Sequence, residues 1–400
     1  MRVRGTLAVV GISLLLGGCG GGDDILAPSP SPDGPPALAT PTAGADEQEA
    51  QPQTATALGF PAFATRNTTR VAGADAVANA AGVALAAYPS ASDDSRPGAV
   101  TLADAGDWQA AISAAQLMST PLKAPVLLSE DGELPEATAA ALEQLKPTGA
   151  AKAAGAQVIR VGAGPAAAAC RRSIRRATSA GSAPVRSVVL RSCPAAAGTR
   201  GSAVIVASSD APAFAMPAAG LAVHTGAPVL WTGRDRVPAA TVAAIRDRRQ
   251  PRIFVVGPAE AVGDAAVRRL RRLGTVRRIA GADPVANAIA VARYGDGAFG
   301  WNVVDPGHGF VFAAAERTAD AAAAAPLSGT GTYGPLLLVS SADALPAAVQ
   351  DYLLDVQPGY DRDPVRGVYN HGWLMGDPAT ISVAVQARID SLLEIQPVDR

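Results

Sequence analysis

The chain reads "RVAGADAVANA" at Arg70–Ala80 and "RIAGADPVANA" at Arg278–Ala288, 208 positions apart. Each copy describes a short strand ending in Gly and a helix opened by an acid. Asp75 and Asp283 stand where a helix N-cap carboxylate accepts from the first free N–H groups. Pro284 follows Asp283 at the first helical position, where a missing N–H costs nothing. This reading makes both aspartates structural, and it makes the phrase a marker of periodicity.

Other phrases share that period. "APVLLSEDGELPEATAAALEQL" (124–145), "APVLWTGRDRVPAATVAAIRDR" (227–248) and "GPLLLVSSADALPAAVQDYLLD" (334–355) align, with Pro135, Pro238 and Pro346 spaced 103 and 108 apart. These prolines are expected at the first helical position. Ahead of each lies a small-residue helix, at 110–117, 215–222 and 321–327, and ahead of that a strand, at 99–103, 203–207 and 310–314. After each Pro helix another strand is expected, at 157–162, 252–257 and 366–372. Runs such as "PVLL" and "IFVV" are apolar throughout, as in parallel strands covered on both faces. Strands alternating with helices predict right-handed βαβ units. The fold class is therefore α/β: three tandem, small, Rossmann-like units of four strands each.

The middle copy of the phrase is eroded. Laying "GTVRRIAGADPVA" (274–286) on "SAPVRSVVLRSCPAA" (182–196) puts Leu190 at Gly281 and Ser192 at Asp283. Cys193 sits in this corner and Cys170 just before it, either as a disulfide closing the loop or as two separate thiols.

The ends set the context. Arg2 and Arg4 precede the apolar "TLAVVGISLLL" (6–16), too short to span a bilayer and typical of a secretory signal. "LGGC" then resembles the bacterial lipobox, which implies a diacylglycerol on Cys19. Residues 20–62, rich in Pro, Ala, Thr, Ser and Gly, read as a tether without a core. The segments expected are a signal peptide and lipobox (1–19), the tether (20–62), and repeats at 63–181, 182–273 (degenerate start) and 274–400.

The ordered series, three times over, resembles the cell wall-binding repeat type 2 family. Arg70, Gly73 and Asp75, then Arg278, Gly281 and Asp283, match its opening motif. Asp320 matches its D-A-L acid, which is Ala110 and Phe214 in the other two units. The family's Thr is replaced by Asn79 and Asn287. The resemblance implies repeats arranged about a pseudo-threefold axis, extracytoplasmic and in contact with the wall. It implies a cell-wall polymer as partner and no catalysis.

Chemistry is sparse. His224, His308 and His371 form no metal-binding pair, and no metal or cofactor is expected. No nucleophile elbow, Walker loop or dinucleotide fingerprint occurs. "VGAGP" (161–165) lacks the third Gly of a phosphate cradle. A net charge of −1 gives no pull toward nucleic acid. Two basic runs stand out: Arg171, Arg172, Arg175 and Arg176, and Arg268, Arg269, Arg271 and Arg272. Both are expected on equivalent helices, either as a solvated face or as a patch for an anionic polymer. The expected function is that of a surface lipoprotein, held to the membrane by Cys19, that binds wall polymer non-covalently. A receptor for a soluble ligand and an accessory to wall-modifying enzymes are the alternatives. Oligomeric state is not legible.

Overall fold

The computed structural model describes residues 63–162, 203–248, 250–330 and 333–398, and the backbone of Ser173–Ala177 and Val185–Leu190. The strands along the chain are β1 (Phe63–Ala64), β2 (Thr68–Val71), β3 (Val100–Asp104), β4 (Val126–Ser129), β5 (Val158–Val161), β6 (Ser173–Ala177) and β7 (Val185–Leu190). There follow β8 (Ala203–Ser208), β9 (Val229–Thr232), β10 (Arg252–Val256), β11 (Thr275–Ile279), β12 (Gly309–Ala314), β13 (Leu336–Val339) and β14 (His371–Met375). Two-residue ladders at 295–300 and at 359–360 with 396–397 complete the set. The helices are α1 (Ala76–Ala87), α2 (Trp108–Ala115), α3 (Glu136–Leu145), α4 (Pro212–Ala215), α5 (Pro217–Thr225) and α6 (Ala239–Arg246). The rest are α7 (Asp264–Arg271), α8 (Pro284–Arg293), α9 (Asp320–Ala324), α10 (Ala347–Asp355) and α11 (Val383–Leu393).

The fold is mixed α/β with mostly parallel sheets. The strand orders are β4-β3-β5-β7-β6, β11-β10-β8-β9 and β1-β2-β14-β12-β13. Only β1 and β6 run antiparallel to their neighbours in these sheets. In the first two sheets the fourth parallel strand comes from the start of the next sequence repeat. β7 lies on β5, and β11 on β10. The first repeat's opening strand, β2, crosses to the last sheet and pairs with β14, Gly372↔Thr68 through Met375↔Val71.

α11 holds that junction. Asp390 Oδ1 accepts from Thr65 Oγ1 at 2.5 Å and from Asn67 N at 2.8 Å. Gln386 Nε2 donates to Thr68 Oγ1 at 3.0 Å, and Arg66 pairs with Glu394 at 2.5 Å.

At the centre the small-residue helices α2, α5 and α9 pack on one another. Ala111, Ala114, Ala115, Ala218, Ala219, Ala222 and Ala321–Ala325 are all buried there. Short side chains let helix axes approach closely, since the interaxial distance follows the residues at the contact. A Cβ on Gly220 would meet Ser328 Oγ, in the turn after α9, at 2.6 Å.

Four sequence expectations change. Pro135, Pro238 and Pro346 are N-caps, one place before the first helical residue. The strand expected at 366–372 lies at His371–Met375, where alternating burial and the apolar Leu374 and Met375 favour it, and a short 3-10 turn occupies Pro364–Arg366. His371 therefore opens a strand instead of ending one. The basic run at 171–177 is not a helix over its described part: Ser173–Ala177 is β6, its backbone paired along β7.

The middle repeat's register also shifts. Gly162, Gly257 and Gly376, all at positive φ, end β5, β10 and β14. Counting back from them, Leu190 pairs as Ile279 and Val71 do, so Val189 stands at the place of Arg278 and Arg70. Pairing fixes register more tightly than residue similarity, because a slip changes the partner of every residue.

Among the described residues no helix is long and apolar enough to cross a membrane. A chain lacking residues 1–75 should melt at least about 5 °C below one lacking residues 1–62, since β14 loses its neighbour. Equal melting temperatures by circular dichroism would show that β2 is dispensable.

Candidate functional site

The repeated phrase lies at the carboxyl ends of parallel strands, where open α/β sheets hold ligands. Its side chains are nevertheless engaged within the protein. Arg70 is buried, and its Nε donates to Gln386 Oε1 at 2.9 Å. Its Nη1 donates to the carbonyls of Gly376 at 2.8 Å and Asp377 at 3.0 Å. Arg278 does the same one sheet away, donating to the carbonyls of Gly257 and Val262 at 2.7 Å each. Each Arg thus ties down the loop that follows the neighbouring strand.

Asp75 caps α1 by accepting from Ala78 N at 2.8 Å, and Asp283 caps α8 by accepting from Ala286 N at 2.9 Å. The glycines permit a close approach. A Cβ on Gly73 would lie 2.5 Å from Asn79 N, and one on Gly281 would overlap the backbone of Ala286 and Asn287.

Asn79 and Asn287, which depart from the family pattern, join the repeats. Asn79 Oδ1 accepts from Gly73 N at 3.0 Å, and its Nδ2 donates to Asp320 Oδ1 at 3.0 Å. Asn287 Oδ1 accepts from Gly281 N at 3.3 Å. Its Nδ2 donates to Phe214 O at 3.1 Å, the backbone at the position where the other unit has its acid. An amide carries both an acceptor and a donor, so one side chain closes its own turn and reaches the next unit. The signal was present in the sequence, since both copies carry Asn at the same place.

Asp320 is fully buried and faces Arg317, Nε to Oδ2 at 2.8 Å. Arg317 Nη1 also donates to Ala74 O at 3.1 Å and Thr380 Oγ1 at 2.7 Å. Arg317 was not singled out from sequence, although its three-residue spacing to Asp320 could have revealed it. Burial raises the Asp320 pKa above the usual carboxylate range, opposed by Arg317 and by the bond from Asn79.

The basic run on α7 differs in kind. Arg268, Arg271 and Arg272 are exposed and Arg269 is half-buried, while Ala266, Val267 and Leu270 face the core. Among the described residues none of these four arginines has an acidic partner within ion-pair distance, whereas Arg252 and Arg277 both reach Asp296. They crowd the helix C-terminus, where the macrodipole favours cations. Arg175 and Arg176 lie on β6, so the two basic runs are not equivalent. Cys19, Cys170, Cys193, Arg171 and Arg172 lie outside the described residues.

The histidines are dispersed. His224 stacks on Trp301 with ring centroids 4.0 Å apart, His308 pairs with Asp305, and His371 meets Thr69 Oγ1 at 3.1 Å. Among the described residues no group of three or more His, Cys, Asp or Glu could hold a metal ion.

Residues 278–386 match the family model for cell wall binding domain 2, beginning at the Arg of the third repeat's phrase. That segment resembles a cell wall binding domain 2. The fold is similar to that of Cwp6 from Clostridium difficile, with a TM-score of 0.58 and 15% identity over 82% of this chain and 48% of that one. It is also similar to Cwp8 from Clostridium difficile, with a TM-score of 0.57 and 16% identity over 82% of this chain and 52% of that one. The chain spans about half the length of either structure. No curated protein matches it in sequence. Cell wall binding and association with the cell surface are thereby supported at the level of the family.

Asp75→Ala should cost about 1 kcal/mol, the usual worth of an N-cap, read from chemical denaturation. An unchanged midpoint would remove its role as a cap. Asp320 has a testable pH signature. Its folded pKa lies above the unfolded value, so the folded state binds the extra proton. Its contribution is present at acid pH and lost as pH rises through the folded value. Relative to Asp320→Asn, the native chain should therefore lose stability as the pH is raised from about 4, the unfolded value. Parallel urea stabilities of the two proteins across that rise would contradict this.

Proposed function

We propose that this chain is a surface lipoprotein, anchored through a lipid on Cys19, whose repeats hold an anionic cell-wall polymer non-covalently and without catalysis. The four α7 arginines carry this reading. Arg268, Arg271 and Arg272 face solvent and Arg269 is half-buried, none with an acidic partner among the described residues, and guanidinium groups grip phosphate or carboxylate in bidentate fashion. The polar residues of the repeated phrase support it by contrast. They are committed to intramolecular bonds, which leaves the recognition of polymer to another surface. A lipid at one end and wall affinity at the other would staple the membrane to the wall.

Sedimentation with purified walls tests the reading. The protein should pellet with intact walls, less so with walls stripped of anionic polymer, and binding should fall steeply between low and high salt. Changing Arg268, Arg269, Arg271 and Arg272 together to Ala should abolish most of that binding and leave the melting temperature within a few degrees. Wall binding that withstands both salt and the quadruple change would rule out the basic helix. Cys19→Ser should release the protein from membranes, as judged by fractionation.

A further inference from the structure

Among the described residues, two of the three sheets are closed on the outside of their borrowed strand, and the third is open. β1 lies antiparallel on β2, Phe63↔Arg70 and Ala64↔Thr69. β6 lies antiparallel on β7, Ser173↔Val189 through Ala177↔Val185. The second sheet stops at β11, because the chain ahead of it is helix α7 followed by Arg272–Gly274.

Register identifies the free groups. Gly257 N donates to Ile279 O at 2.9 Å, so Ile279 faces β10, and with it Arg277 and Thr275. Val276 and Arg278 turn their N–H and C=O outward, and neither backbone has a partner among the described residues. Arg278 is the counterpart of Arg70, which takes Phe63 as its antiparallel neighbour.

An unpaired edge is a template for another strand unless the sequence blunts it. "TVRRI" contains neither Pro nor Gly, and its blunting charges are Arg277 and Arg278, which disfavour a basic or identical strand but not an acidic one. The charge around this edge has one sign in excess. Arg268, Arg271, Arg272 and Arg277 are exposed near it, against Asp264, Glu260 and Asp296. Arg278 spends its guanidinium on two carbonyls and so leaves its backbone free.

We propose that the outer edge of β11 accepts an extended acidic segment of a partner protein as a fifth, antiparallel strand. Main-chain bonds to Val276 and Arg278 supply affinity, as in strand addition generally, and the arginines select for acid side chains. The partner strand would take the place that β1 and β6 occupy in the other two sheets.

The test uses the full chain and a labelled synthetic peptide, acetyl-Thr-Glu-Val-Glu-Val-Glu-Val-Thr-amide, followed by fluorescence anisotropy. Three changes should each weaken binding by about tenfold, the scale of losing one or more main-chain hydrogen bonds or the charge match. They are Val276→Pro, a peptide N-methylated at alternate residues, and a peptide with Lys in place of Glu. Val276→Pro removes an outward N–H, so it should leave circular dichroism and wall sedimentation unchanged. That separates this edge from wall binding, which the quadruple Arg change removes. The N-methylated peptide keeps the test sound if Val276→Pro does not fold. Absence of binding to the native chain, or equal binding by Val276→Pro or by the N-methylated peptide, would overturn the proposal. So would a dimer of the native chain that Val276→Pro dissolves, since the occupant would then be a second copy.

Discussion

The close approach of α2, α5 and α9 is the constraint from which the rest follows. Three helices can meet at one centre only if their facing side chains are small. The chain supplies Ala at many such positions. Ala contributes little apolar area, so burial at the centre stabilises less per residue than a Leu core would. The larger residues lie in the surrounding layers: Leu127 and Leu145 in one, Ile253 and Leu270 in another, Tyr352 and Leu353 in the third. Polar bonds then fix how the layers meet. Asn79 and Asn287 each run from a helix of one repeat to its neighbour, Asn79 to Asp320 on α9 and Asn287 to Phe214 on α4, with different acceptors, a carboxylate and a backbone carbonyl.

Much of this was legible in the sequence. Apolar runs such as "IFVV" announced buried parallel strands, and the repeated "LP" and "VP" steps located helix starts to within one residue. Asp75 and Asp283 declared themselves as caps. What could not be read was which sheet each opening strand joins. Periodicity shows that a strand exists and how its faces are covered, but not which edge completes it. Sequence adjacency placed β2 with the first repeat, whereas hydrogen bonding places it 300 residues away beside β14. The same limit misplaced the strand at His371–Met375. "RGVYNHG" had the right residue types, but only "HGWLM" alternates buried and open positions beside Phe310 and Phe312.

The residues of the candidate sites were legible in a different measure. Every polar residue that the family resemblance singled out in the phrase was found, but its role is to hold the protein together. Asn79 and Asn287, which stand where the resemblance has Thr, each bond to a neighbouring repeat. Conversely, the arginines of α7 offered no motif, only composition and spacing around the buried Val267 and Leu270. Helical equivalence between the two basic runs failed because it rested on repeat position alone, while the local chain at Ser173–Ala177 had β7 to pair with.

The pairing of Thr68–Val71 with His371–Met375 has a consequence for how the protein is made. A ribosome delivers the amino end first. β2 must therefore wait until almost the whole chain has emerged before its permanent neighbour exists, and sheets built from such distant segments form slowly. An unpaired apolar strand held that long would invite aggregation. Here the waiting strand is only four residues long, carries Arg70, and is shielded on its other side by the adjacent β1, a partner available as soon as it is synthesised. The local hairpin thus serves the nascent chain as well as the finished one. It keeps an early strand in readiness for a late one.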